Sequence, residues 1–133
     1  MNHITNFNTS DSIIHKIPKY TDILLLGEST HGTEEFYKYR SDITKQLINK
    51  DNFNIILFET DWFNLYNVNK YIHNTSQSKT AEDSLSNINS FPIWLWKNNI
   101  IIDLIEWLKN FNLKFTKKIY LLGLDCYLLK ESF

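Results

Sequence analysis

Three short apolar runs punctuate the chain, and the stretches between them repeat apolar residues at spacings of three and four, which predicts the order β-α-β-α-β. The first run, residues 22–27, is Ile and Leu throughout between its polar ends, as expected of a strand buried on both faces of a parallel sheet. Phe36, Tyr39, Ile43 and Leu47 then stripe a predicted helix over residues 33–49. A second strand, residues 54–58, follows the short turn Lys50-Asp51-Asn52. Leu65, Val68 and Ile72 mark a second helix that ends near Asn74. Residues 75–80 are polar and turn-like, and Thr80 with Asp83 matches a capping box for a short helix. Pro92 interrupts the chain again. Beyond it, Ile101, Leu104, Ile105, Leu108 and Phe111 stripe a third helix, and residues 118–122 form the third predicted strand. The fold class is therefore α/β, a mostly parallel sheet with flanking helices. Residues 1–21 read as a polar N-terminal segment, and residues 22–133 as one domain.

Strands joined through helices in this way lie parallel, so their carboxyl ends open on one edge, where ligands bind in open α/β sheets. Three loops are expected there. Gly27-Glu28-Ser29-Thr30-His31-Gly32 follows the first strand, Glu59-Thr60-Asp61-Trp62 the second, and Gly123-Leu124-Asp125-Cys126-Tyr127 the third. Together they deliver four carboxylates and a histidine. Glu28 and His31 are three residues apart and can share a face, with Glu59 within reach from the neighbouring strand. A carboxylate that holds an imidazole fixes its tautomer for general-base work. The structural alternative stays open for each residue singly, since acids favour first helical turns and Asp61 or Asp125 can serve as N-caps. Glu28, His31, Glu59 and Asp125 are also suitable metal-ligand types, although the Glu-x-x-His spacing alone is a weak signal.

Composition sharpens one point. Of 14 Lys and Arg only one is arginine, Arg40, whose planar fork lysine cannot reproduce. It lies on the helix after the Glu28 and His31 loop, so it is expected to pair with Glu28 or Glu59 and to offset their charge, with a surface ion pair as the alternative. Trp94 and Trp96 form either an aromatic wall over a cleft or packing anchors. Cys126 reads as a small buried residue, and His3, His15 and His73 as solvated. A net charge of -1, with Lys117-Lys118 as the available basic pair, argues against nucleic-acid binding. Apolar runs of four residues are far too short to span a bilayer, and the polar start has no signal-peptide pattern. With one cysteine, a reducing cytoplasm is the simplest compartment, where the sequons at Asn8 and Asn74 stay unmodified.

Four segments, taken in order, resemble the erythromycin esterase family: Gly27-Glu28-Ser29-Thr30-His31-Gly32 with Glu35-Phe36 and Arg40; Phe58-Glu59-Thr60-Asp61-Trp62; Phe91-Pro92-Ile93-Trp94-Leu95-Trp96-Lys97-Asn98; and Gly123-Leu124-Asp125-Cys126-Tyr127. The resemblance runs over residues 22–133. It implies hydrolysis of a small-molecule ester or macrolide lactone, as in members that inactivate macrolide antibiotics, by water that a histidine activates, with no serine nucleophile and no metal or other cofactor. The motif histidine falls on His31, the implied general base, and the motif glutamates on Glu28 and Glu59. Arg40, Asp61, Trp62, Trp94, Trp96 and Asp125 are implied to support the site or bind substrate. Family members are much longer, and their later part supplies further helices, the rest of the cleft and a second histidine. The resemblance is thus to an N-terminal portion, truncated at its C-terminal side. It implies an enzyme that works with a C-terminal partner chain, or else an inactive remnant or interaction module prone to self-association.

Overall fold

The computed structural model describes residues 10–50, 53–89 and 92–126, with side chains from residue 12 onward. The 50–52 turn, Phe91 and Tyr127 of the motifs, and His3 therefore lie partly or wholly outside the described residues. The chain divides into two compact units, Met1–Phe53 and Asn54–Phe133.

In the first unit, helix α1 (Ser10–Ile14) precedes helix α2 (Glu34–Lys50). The opening segment looked polar throughout, yet its Ile13 and Ile14 are enough to pack a short helix. Ile14 joins Ile43 and Leu47 of α2 in an apolar cluster, with Ile13, Ile17, Leu24, Leu26 and Phe53 against it. Glu34 and Glu35 sit in the first turn of α2, where its dipole favours acids. The buried face of α2 is Tyr37, Ser41, Ile43, Leu47 and Ile48. It is rotated from the predicted stripe: Tyr39 is 48% exposed.

Residues 22–27 are not a strand. Leu24 and Leu26 cover the helical cluster, whereas Ile23 and Leu25 are exposed. The run alternates as a strand would, but within this unit its described neighbours are helices. A helix offers no free row of N–H and C=O groups for a strand to pair with.

The second unit holds the sheet. Strand β1 (Ile55–Asp61) pairs in parallel with strand β2 (Tyr120–Asp125), Ile55 opposite Tyr120 and Leu57 opposite Leu122. Helix α3 (Trp62–Ile72) packs on the sheet and against helix α5 (Asn99–Lys114), and the short helix α4 (Ala81–Ser84) touches both helices. The predicted capping box is present, with Thr80 accepting from the Asp83 amide at 3.0 Å. All five residues of the predicted α5 stripe are buried, and Asn98 caps the helix by accepting from the Ile101 amide at 3.1 Å.

Two polar side chains lock these layers. Asn112, 4% exposed, donates to the carbonyls of Ile72 and Ile119 and accepts from the Ile119 amide at 2.7 Å. Glu106 accepts from the Tyr71 hydroxyl at 2.8 Å and from the Ala81 amide at 3.0 Å. His73 is not solvated. It ends α3 with Nδ1 against the Asn69 carbonyl at 2.7 Å and its ring 4.7 Å from that of Tyr120.

Within this unit the described helices pack on one face of the sheet and leave the other open. Leu121 is fully buried, whereas Ile55, Leu57, Tyr120, Leu122 and Leu124 are all more than a third exposed. Among the described residues no helix is long and apolar enough to cross a membrane.

Candidate functional site

The loop after residue 26 turns sharply before α2. Gly32 stands at φ 81°, in the left-handed region where a side chain would be strained. The turn ends as Thr33 Oγ1 meets Thr30 Oγ1 at 2.7 Å and the Thr33 carbonyl accepts from the Phe36 amide at 3.1 Å. This geometry brings three predicted site residues together. His31 Nδ1 lies 2.6 Å from Glu28 Oε1, and Arg40 Nη2 lies 2.6 Å from Glu28 Oε2. The arginine contact is short but off the hydrogen-bonding axis, so it acts as a charge pair. Glu28 is 11% exposed and Arg40 22%, while His31 is 65% exposed.

A carboxylate that accepts from Nδ1–H leaves the lone pair on Nε2, the nitrogen free to take a proton. Arg40 offsets the carboxylate's charge from the other side, so a nearly buried anion is held between two cationic or donor groups. Tyr37, one turn before Arg40, was not recognised in the sequence as part of this cluster. Its ring lies 4.9 Å from the Arg40 guanidinium carbon, and its hydroxyl ionises less readily than usual, chiefly through burial and then through the charge of Glu28. The signal for it was the i,i+3 spacing to the chain's one arginine.

The other predicted residues belong to the second unit. Glu59 is exposed near the end of β1. From Phe58 to Asp61 β1 advances three residues while β2 advances two, from Gly123 to Asp125. Glu59 continues the alternation of Ile55 and Leu57 onto the open face, and the extra residue makes a bulge at which Thr60 and Asp61 are both buried. Asp61 caps α3, accepting from the Phe63 amide at 3.0 Å, so the structural alternative for this residue is realised. Asp125 closes β2 opposite Asp61.

Trp62 opens α3 and packs edge-on against Phe63 and Tyr66. Trp96 stacks on Phe58 at 4.6 Å, and Trp94 in the adjoining 3-10 turn (Ile93–Leu95) is 44% exposed. Of the two, Trp96 is the packing anchor and Trp94 the one left open. Cys126 is exposed, because the chain has already left the sheet after Asp125. Among the described residues no three His, Cys, Asp or Glu side chains converge as metal ligands.

Two solved structures resemble the chain. A Bacillus cereus protein shares 24% identity at a TM-score of 0.61 over 74% of this chain and 22% of that one. A protein described as a succinoglycan biosynthesis protein shares 31% identity at a TM-score of 0.62 over 75% and 24%. The chain thus spans about a quarter of the length of the solved proteins it matches. The family model for erythromycin esterase matches residues 48–133, a stretch that contains Glu59, Asp61, Trp62, Trp94, Trp96 and Asp125 but begins after the Glu28, His31 and Arg40 cluster. With more than half of its length matched, this chain belongs to the erythromycin esterase family.

Proposed function

We propose that the chain carries the N-terminal part of a hydrolytic site that acts on a small-molecule ester or macrolide lactone. The observation that carries this reading is the contact of Glu28 with His31 at 2.6 Å, its other oxygen held by Arg40. His31 Nε2 takes a proton from water, the water oxygen attacks the carbonyl carbon, and the proton passes to the leaving alkoxide as the tetrahedral intermediate collapses. Glu28 keeps the imidazole in the tautomer this requires. By the family resemblance Glu59 is the second motif carboxylate, which orients the histidine and water or takes part in proton transfer, with Asp125 and the tryptophans as supporting groups. The chain spans only part of its relatives, so the activity is that of the longer domain. The remaining polypeptide is supplied in cis or in trans.

The experiment is ester hydrolysis, with aryl esters and macrolide lactones as substrates, by the chain together with the rest of a family domain. His31→Ala is expected to lower kcat by about 10²-fold or more while the melting temperature stays nearly unchanged. The wild-type rate is expected to survive extensive chelation, which separates a base from a metal ligand. An unchanged rate in His31→Ala removes the assignment.

The open sheet face favours a second reading, an interaction module that pairs with a second copy of itself. Parallel sheets are ordinarily covered on both faces, and a net charge of -1 gives two copies little mutual repulsion. Sedimentation velocity over a range of concentrations tests this. A monomer throughout rules it out.

A further inference from the structure

Tyr37 is 4% exposed, yet it lies outside the apolar cluster that Ile43 and Leu47 build further along α2. Its hydroxyl is buried near the Gly32 backbone and the Arg40 side chain without an aligned hydrogen bond to either, which leaves the ring as its contact surface. What the tyrosine does have is a neighbour: Arg40, three residues on, presents its guanidinium carbon 4.9 Å from the ring centre. The same guanidinium meets Glu28, and Glu28 meets His31.

We propose that Tyr37 is a positioning residue whose ring forms a cation–π platform for the Arg40 guanidinium that holds Glu28 against His31. An arginine side chain has many rotamers, and a flat π face beside it on the same helix removes most of them while attracting its charge. Arg40 then reaches Glu28 already oriented, and the carboxylate keeps its second oxygen for the imidazole. The chain of contacts runs ring, guanidinium, carboxylate, imidazole, all within the loop and the first two turns of α2. Only its last member is largely open to solvent. The role rests on His31 being the reactive group of the proposed hydrolytic site, but it can be measured without turnover.

The probe is diethyl pyrocarbonate, which acylates neutral imidazole. Mass spectrometry reads the rate at His31 relative to that at the exposed His15. Glu28→Gln serves as reference and is expected to change the ratio, since it alters the partner of Nδ1. Tyr37→Leu is expected to shift the ratio in the same direction by about twofold to fivefold, the range a single cation–π contact supports. Tyr37→Phe, which keeps the ring, is expected to retain the wild-type ratio. If Tyr37→Leu fails to fold, Tyr37→Met removes the π face while keeping an apolar side chain of similar length. A wild-type ratio in Tyr37→Leu or Tyr37→Met, with Glu28→Gln shifted, overturns the proposal and leaves the hydrolytic reading intact. A Tyr37→Phe ratio shifted as far as that of Tyr37→Leu overturns it as well, by placing the effect in the hydroxyl. No response to Glu28→Gln removes the coupling of Glu28 to His31, and both readings fall together.

Discussion

At the bulge beside Glu59 the two strands come so close that Gly123 has no room for a side chain. A Cβ there would sit 2.5 Å from the Asp61 carbonyl oxygen and 2.6 Å from that of Thr60, and both are backbone atoms that cannot rotate away. Gly123→Ala must therefore spread the strands or undo the bulge, and it is expected to cost about 2 kcal/mol or more in urea denaturation. Gly27→Ala is the matched control, because an added Cβ meets nothing within 4 Å, and it is expected to stay within about 0.5 kcal/mol of wild type. Equal losses in the two would mean that the strands do not approach as described. Single residues of the site were legible in the sequence to very different degrees. Arg40 stood out because a lone arginine among lysines has a geometry to explain, and it does meet Glu28. Tyr37 did not, since one tyrosine on an amphipathic helix looks like any other. Asp61 was ambiguous because a cap and a catalytic acid occupy the same position in sequence, and only its bond to the Phe63 amide separates them.

Between elements, the contact of α3 with α5 depends on polar groups that periodicity cannot reveal. Tyr71 is 3% exposed, donates to Glu106, and lies under the Lys109 ammonium, 3.8 Å from its ring centre. Burial, with the hydrogen bond to Glu106 next, pushes the Tyr71 hydroxyl up to about 12 from an ordinary 10.0. The folded state thus holds this proton more tightly than the unfolded state. The stabilisation is complete below about pH 10, where both states are protonated, and is lost as pH rises through about 12. Urea midpoints at about pH 9 and about pH 11 should fall further in wild type than in Tyr71→Phe. Parallel losses would show that Tyr71 carries none of the dependence. The helices themselves were legible, because spacings of three and four belong to the sequence. Asn112 was not, since asparagine is abundant in this chain and its frequency masks the one that closes a junction. The run at residues 22–27 misled for the opposite reason: its composition fits a buried strand, but strand pairing is decided by an edge elsewhere in the chain.

For the molecule as a whole, alternating strands and helices correctly indicated an α/β fold, while the number of strands that actually pair was set by contacts remote in sequence. The sheet that does form is apolar on both faces, and parallel sheets of that composition are ordinarily covered twice. Ile55 and Leu124, 55% and 64% exposed, bracket the open side. Exposed apolar faces of this kind drive association, because the area removed from water on pairing is stabilising whatever covers it. Lysine at both positions should therefore reduce self-association in sedimentation velocity. Because neither side chain is buried, the double variant Ile55→Lys and Leu124→Lys should melt close to wild type, with each change worth about 0.5 kcal/mol or less. A control carrying Ser86→Lys and Asn89→Lys, both exposed and outside the strands, adds the same two charges. If it disperses the protein as well as the sheet-face variant does, net charge and not the sheet face governs association. If only the sheet-face variant does, the apolar face is the contact, and supplying the rest of a family domain should compete with it.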